Sequence, residues 1–132
     1  MYDDVTFRVA PITKGVFMAT ATHDWIETTD VLKLLNLVSD IRKILRRFRL
    51  KLLEYHALLI LRKSPNTTPG EIGKQVPLLP AAVTRALNCL ERAKLITRNF
   101  GQEDRRTVVV SLTKEGASLL QQIDRLVLHL GE

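Results

Sequence analysis

Three consecutive stretches in the middle of the chain decide its fold. They are Thr67–Val76 (TTPGEIGKQV), Ala81–Arg92 (AAVTRALNCLER) and Leu95–Thr113 (LITRNFGQEDRRTVVVSLT). The first begins a helix, because Thr68 and Glu71 form a capping box with Pro69 at the first helical position. The second is a helix whose apolar residues recur at spacings of four and three, at Val83, Leu87 and Leu90. The third has two β-rich runs around a polar tip, which is typical of a β-hairpin.

Helical patterns continue on both sides of this centre. A long helix is predicted from an N-cap in Thr28–Asp30, followed by a second helix over about Leu50–Lys63. Thr113–Gly116 leads into a final helix with an apolar face. Two short helices followed by a hairpin are the parts of a winged helix-turn-helix. The predicted fold class is therefore mainly α with a small β-wing (α+β), a winged helix-turn-helix domain flanked by further helices.

The N-terminal segment, residues 1–27, has a different pattern. Val5, Phe7 and Val9 alternate with polar residues before a Pro/Gly turn, which indicates a short β-hairpin. A flexible arm is the alternative.

Length and composition restrict the class of protein. The chain has 132 residues, enough for one domain with one core, and is 45% apolar and 26% charged. No apolar run approaches the ~20 residues of a membrane span, and the acidic start lacks the basic region of a signal peptide. The single cysteine excludes an internal disulfide and a cysteine-rich zinc site. We therefore expect a cytoplasmic protein with no membrane partner.

The net charge of +6 is concentrated in one part of the chain. Residues 41–110 hold fifteen Lys and Arg against five Asp and Glu, whereas residues 1–40 hold three against six. A basic surface of this kind neutralises phosphates and releases their counterions. A solvated basic surface without a partner is the alternative that charge alone leaves open.

The chain resembles the MarR family of bacterial winged-helix regulators. The resemblance covers about residues 30–130 and is most specific in Asp104–Arg106 with the β-branched residues after it, in Ser111–Gly116 and in Val83–Glu91. It implies a homodimer, more often a repressor than an activator, that binds pseudo-palindromic operators in double-stranded DNA. The winged helix-turn-helix would occupy 51–113 of a domain over 28–132, with dimerisation helices over 28–50 and 114–132. A small-molecule inducer or a protein partner would modulate it.

The sequence departs from that family at two places in the DNA-reading region. The recognition helix opens Leu79-Pro80-Ala81-Ala82, without the usual polar residues, so an N-cap oxygen is missing. Lys94 stands where a glycine is common.

The candidate DNA-binding residues lie on the helix-turn-helix and the wing. Arg85 is the strongest candidate for reading a base or contacting a phosphate, and Arg106 is the candidate for the minor groove, with Asp104 holding its guanidinium. Arg98 and Arg105 are predicted to neutralise phosphates. The full set is Thr67, Thr68, Ala81, Thr84, Arg85, Asn88, Arg98, Asp104, Arg105 and Arg106.

Other sites are weaker. His23, Trp25, Tyr55 and His56 are candidates for a ligand pocket, although lone histidines and aromatics are more often structural. Cys89, between Leu87 and Leu90, is predicted to be a small packing residue rather than a redox switch. No catalytic set, metal motif or cofactor loop is readable, so we expect no enzyme activity, no metal and no cofactor.

Two other functions remain compatible with the sequence. Winged helices also serve as protein-interaction modules, in which the basic face would bind an acidic protein. A nonspecific architectural DNA binder would show salt-sensitive binding without sequence preference.

Overall fold

Five helices and one β-hairpin make up the described part of the chain. A computed structural model describes residues 26–76, 79–101, 104 and 106–130. The helices are α1 (Thr28–Arg47), α2 (Leu52–Lys63), α3 (Pro69–Gln75), α4 (Pro80–Arg92) and α5 (Lys114–Val127), and the strands are β1 (Ile96–Phe100) and β2 (Val108–Leu112). The prediction of a mainly helical winged helix-turn-helix is confirmed. The hairpin or arm was predicted over residues 1–27, of which 1–25 lie outside the described residues.

The chain divides into two compact units, Met1–Val38 and Ser39–Glu132. In the described part of the first unit, α1 exposes large apolar side chains, namely Val31, Leu32, Leu34, Leu35 and Leu37, and Ile26 just before the helix is exposed as well. None of the described helices is long and apolar enough to cross a membrane.

The second unit holds the hydrophobic core. Its fully buried side chains come from every helix of this unit and from both strands, and include Leu45, Leu58, Ile72, Leu87, Ile96, Val110 and Ile123. Helix α2 is central to the core, because it packs against α4, α5 and β2. Burial of this contiguous apolar set stabilises the unit at about 25 cal/mol per Å², and it fixes α4 and the hairpin on one frame.

The two strands are antiparallel and pair Ile96 with Leu112 through to Phe100 with Val108. Strand β1 therefore continues two residues beyond the predicted end at Arg98, because the register carries the ladder to the start of the tip. Residue Thr67, just before α3, adds a backbone bridge to this sheet, since Val110 N donates to Thr67 O at 2.7 Å.

The junction between α4 and β1 is a tight helix end. Lys94 N donates to Glu91 O and Leu95 N donates to Leu90 O, both at 2.9 Å. This is the Schellman arrangement, which requires a left-handed residue after the cap. Lys94 occupies that position with φ 64°. Lys94 therefore replaces the glycine that is common here in the family it resembles, and it adopts the left-handed conformation that a glycine would adopt.

Helix α5 begins against the base of the hairpin. Thr113 is its N-cap, accepting from Gly116 N at 3.0 Å and donating its hydroxyl to Lys94 O at 2.8 Å. Thr113 N also donates to Leu95 O at 3.1 Å. These bonds tie α5 to both ends of the connection from α4 to β1, so the wing has a fixed root.

Candidate nucleic-acid interface

Helix α3 packs against α4 and so helps to set its position. Thr68 is the N-cap of α3, with its hydroxyl accepting from Glu71 N at 3.2 Å, and Pro69 is at the first helical position. The predicted Thr68 cap and the position of Pro69 are confirmed, whereas the Glu71 carboxylate, predicted to complete a capping box, accepts from Lys74 Nζ at 3.3 Å. Ile72 is fully buried against the core. Because Thr68 is engaged in capping and is half-buried, its hydroxyl has less freedom to reach a ligand than a free side chain would.

Helix α4 buries one face and exposes two adjoining stripes. Val83, Ala86, Leu87 and Leu90 are buried, as the sequence predicts for the inner face. The outer stripes are Ala81, Thr84, Asn88 and Glu91 on one side, and Ala82, Arg85, Cys89 and Arg92 on the other. Leu79 provides no side-chain cap hydrogen bond, so the missing N-cap oxygen is confirmed. Ala81, Thr84 and Arg85 are exposed on the outer side.

The prediction that Cys89 packs inward is wrong. Its side chain is exposed and free. At 100° per residue, position 89 falls between the buried positions 87 and 90 in sequence but on the outer side in space, one turn after Arg85.

Arg98 on β1 bonds to α4 rather than extending into solvent. Its guanidinium donates to Glu91 Oε1 from Nε at 3.1 Å and from NH2 at 2.6 Å. The same NH2 donates to Asn88 Oδ1 at 2.6 Å. Only 26% of the Arg98 side chain is exposed. Two residues predicted to contact DNA, Asn88 and Arg98, therefore contact each other, and Glu91 is a third member that the sequence did not single out.

The tip of the wing is held by backbone and side-chain bonds around Asp104. Gly101 N donates to Thr107 O at 2.8 Å and Thr107 N donates to Asp104 O at 3.0 Å. Asp104 Oδ1 accepts from Arg106 N at 2.9 Å and from Arg106 Nε at 3.3 Å. The backbone N–H of Arg106, and then its guanidinium, lower the pKa of the Asp104 carboxyl below its usual value. The carboxylate therefore stays charged and holds its partner at neutral pH.

Arg106 is the more exposed partner in the ion pair with Asp104, with 92% of its side chain in solvent. Its partner orients only the Nε edge, so the rest of the guanidinium keeps free donors. Arg105 lies outside the described residues.

Thr67 is half-buried, and its backbone carbonyl accepts a hydrogen bond from the sheet. Its predicted contact with DNA would therefore be made by the side-chain hydroxyl.

The residues predicted to line a ligand pocket do not share a surface where the structure describes them. Tyr55 is buried at 8% exposure, whereas His56 is exposed. Burial raises the pKa of the Tyr55 phenol, and the nearby carboxylate of Asp124 raises it further while Arg62 opposes them. Arg62 and Asp124 form an ion pair at 2.6 Å that joins α2 to α5. His23 and Trp25 lie outside the described residues.

A cluster of cations beside α4 was not predicted from the sequence. Lys51, just before α2, lines a cleft together with Arg85 and Arg92. The only signal in the sequence is the high local content of Lys and Arg, because nothing in the spacing places the start of α2 beside α4.

Known proteins similar to this chain share the helix-turn-helix and the start of the wing. A family model described as the MarR family matches residues 50–108. The organic hydroperoxide resistance transcriptional regulator of Bacillus subtilis (strain 168) is 38% identical over 69 residues, which are 52% of this chain and 47% of that protein. The chain spans about half the length of the curated relatives it matches.

Solved structures agree over a longer part of the chain. The wild-type apo form of MarR from E. coli is 26% identical, with a TM-score of 0.66 over 77% of each chain. The transcriptional repressor CouR bound to a 23-mer DNA duplex is 25% identical, with a TM-score of 0.68 over 78% of this chain and 74% of that chain. The described helices and hairpin are thus the arrangement found in these regulators.

Proposed function

This chain belongs to the MarR family of transcriptional regulators, and from that premise we propose that it is a homodimeric, sequence-specific DNA-binding regulator. The observation that carries the proposal is the pairing of two features on one rigid frame. Helix α4 is anchored by Val83, Leu87 and Leu90 and exposes Thr84 and Arg85. The wing rooted beside it ends in an exposed Arg106.

In this proposal α4 lies in the major groove. Arg85 pairs with a guanine or with a backbone phosphate, and Thr84 and Asn88 donate to bases or phosphates. Ala81 lets the helix start approach the groove closely. A bidentate contact from Arg85 to guanine would contribute about 1–3 kcal/mol of discrimination against other bases.

The wing then reaches the adjacent minor groove. Arg106 enters it, where narrow A·T tracts concentrate negative potential, and Asp104 limits the orientations that the guanidinium samples. Arg105 remains, on sequence alone, a proposed phosphate contact. Arg98 acts chiefly by fixing Asn88 and Glu91, because its charge is already paired at 2.6 Å.

A homodimer is supported by the apolar surface of α1. Leu34 and Leu35 are 59% and 60% exposed, and Leu32 is 54% exposed. Exposed clusters of large apolar side chains mark association surfaces. A two-fold dimer would present two α4 helices to successive major grooves, as pseudo-palindromic operators require. We propose 28–50 and 114–132 as the dimerisation helices and 51–113 as the DNA-reading part.

Repression modulated by a ligand or partner is the proposed mode of regulation. Repression, as opposed to activation, is supported by the similarity of this chain to CouR, which is described as a transcriptional repressor. An inducer would act by binding preferentially to a dimer whose two α4 helices are wrongly spaced for successive major grooves.

The test is fluorescence-anisotropy titration of the purified protein with the promoter duplex flanking its own gene, beside a scrambled duplex of equal length, over a salt series. Tight and sequence-selective binding with a two-fold footprint is the expected result. Equal, weak and salt-sensitive binding to both duplexes would point to an architectural DNA binder. Absence of binding to either duplex would leave a protein-interaction module and overturn the proposal.

A further inference from the structure

We infer that Lys51 joins two basic clefts into one continuous surface, which binds the phosphodiester backbone of DNA beside the recognition helix. We call it the Lys51 surface, and it consists of Arg42, Arg46, Lys51, Arg85 and Arg92. The inference rests on the proposed DNA binding and extends it, since Arg42 and Arg46 lie outside the proposed DNA-reading part, 51–113, and Lys51 is its first residue.

The first cleft lies between the start of α2 and the outer side of α4. It has a volume of about 390 Å³, and three cations line it: Lys51, Arg85 and Arg92. One carboxylate also lines it, Glu54. That side chain is only 6% exposed, and its Oε1 accepts from Lys51 N at 2.9 Å as part of the helix cap. The accessible charge of the cleft is therefore positive.

The second cleft adjoins the first through Lys51. It has a volume of about 320 Å³ and lies between the C-terminal part of α1 and the start of α2, with Arg42 and Arg46 one helical turn apart on its wall. Leu50 and Leu52 complete it. Because Lys51 lines both clefts, the positive surface continues from Arg85 on α4 to Arg42 on α1.

The five cations of the Lys51 surface have no acidic partner within the described part of the chain. Elsewhere in that part, Lys43, Arg62, Lys74, Arg98 and Arg106 each pair with an Asp or Glu at 4.0 Å or less. The chain thus neutralises several cations outside this surface and leaves those within it available. Unpaired cations repel one another, and an external anion removes that cost.

The shape of the surface favours a polyanion over a small ligand. A small anion would occupy one cleft and contact two or three cations, leaving the others unneutralised. DNA carries a phosphate every 3.4 Å along each strand and can meet cations from both clefts together. The surface also begins at Arg85, which the proposed function already directs at DNA, so no second partner is required.

The experiment compares two double variants with equal loss of charge. The test variant is Arg46→Gln with Lys51→Gln. The control is Lys63→Gln with Lys94→Gln, two exposed cations without an acidic partner in the described residues and outside the proposed dimerisation helices. Lys63 lies at the other end of α2, about 18 Å from Lys51. Anisotropy titrations with the promoter duplex and the scrambled duplex, from about 50 mM to about 200 mM salt, give the slope of log affinity against log salt.

The expected result is a slope less steep by about 2 for the test variant on both duplexes, and at least about tenfold weaker binding at low salt. The ratio of affinities for the two duplexes should stay as in the wild type, because phosphate contacts carry no sequence information. The control should retain the wild-type slope.

Equal slopes for the test variant and the control would overturn the inference. So would an altered affinity ratio with an unchanged slope, which would mean that these residues read bases. Failure of the proposed function is seen separately, in a wild-type protein that does not distinguish the promoter duplex from the scrambled one. Circular dichroism and thermal unfolding of both variants confirm that the fold is intact.

Discussion

The guanidinium of Arg98 donates to the amide oxygen of Asn88 at 2.6 Å, and this bond fixes which way the amide faces. A guanidinium has only donors, so the group beside it must be the amide oxygen. The NH2 group of Asn88 consequently faces away from Arg98. Bidentate reading of adenine needs the oxygen and the NH2 together, whereas Asn88 presents mainly a donor. Bases with acceptors in the major groove, such as guanine, are its natural partners.

Asn88→Asp tests this relationship, because aspartate has the same shape, keeps the bond to Arg98 and lacks the NH2 donor. We expect affinity for the promoter duplex to fall at least about tenfold and preference to relax at one base pair in each half-site. Thermal stability should stay within about 0.5 kcal/mol of the wild type. Anisotropy with single-substituted duplexes measures both effects. Unchanged preference would restrict Asn88 to supporting Arg98, and a uniform loss on all duplexes would indicate only repulsion of phosphates.

Arg106→Ala removes the proposed minor-groove contact without touching the core. Because the side chain is 92% exposed, the fold and melting temperature should not change, while promoter affinity falls by about 1–2 kcal/mol, or about tenfold. Asp104→Asn weakens the ion pair but keeps Arg106, so its loss should be smaller. Lys63→Ala is the control for removing an exposed cation elsewhere, outside the proposed dimerisation helices. Wild-type affinity of Arg106→Ala at moderate salt would exclude the wing from the mechanism.

Stability at alkaline pH should report the environment of Tyr55. Its phenol has a raised pKa through burial and the Asp124 carboxylate. The folded state therefore binds this proton more tightly than the unfolded state. The resulting stabilisation is complete below the ordinary tyrosine pKa of about 10 and is lost as pH rises through the higher folded value. Urea unfolding on both sides of about pH 10 should show a steeper fall in unfolding free energy for the wild type than for Tyr55→Phe. Parallel curves would contradict this assignment.

Local signals in the sequence were sufficient to predict the helices and the hairpin of the fold. Caps at Thr68 and Thr113 and apolar spacing on α4 depend on neighbours within a few residues, so they can be read from the chain. The hairpin was also predicted, although its register carried β1 to Phe100. Resemblance added that Lys94 replaces a glycine, and the left-handed φ of 64° explains why glycine suits that position.

Contacts between side chains of different helices and strands could not be predicted from such local signals. Arg98 meets Asn88 and Glu91 only because β1 folds back beside α4, and the sequence separation of seven and ten residues gives no sign of it. The place of Lys51 beside Arg85 depends likewise on how α2 packs on α4. These tertiary contacts decide which cations are paired and which remain available, and they changed the expected role of Arg98.

Gly116→Ala should destabilise the root of the wing. A Cβ at this position would fall inside van der Waals contact of the Leu95 carbonyl oxygen and 2.7 Å from Leu112 Cδ1. Helix α5 would have to move away from the hairpin, at a cost of about 1–3 kcal/mol in unfolding free energy. Gly73→Ala in α3 is the matched control. A Cβ there meets no atom within 4 Å, so it should stabilise by about 0.5–1 kcal/mol. Equal effects of the two changes in urea unfolding would contradict the steric account.

Lys94→Gly should make the protein more stable. Lys94 adopts a left-handed conformation, which costs an ordinary residue about 1–2 kcal/mol and costs glycine little. Part of the gain is offset by the greater freedom of glycine in the unfolded chain, so we expect unfolding free energy to rise by about 0.5–1 kcal/mol. Lys94→Ala removes the same charge and keeps the strain, so it should bring no gain. If alanine stabilises as much as glycine in thermal and urea unfolding, charge repulsion rather than backbone strain is the cause, and the Schellman turn after α4 is not under strain at Lys94.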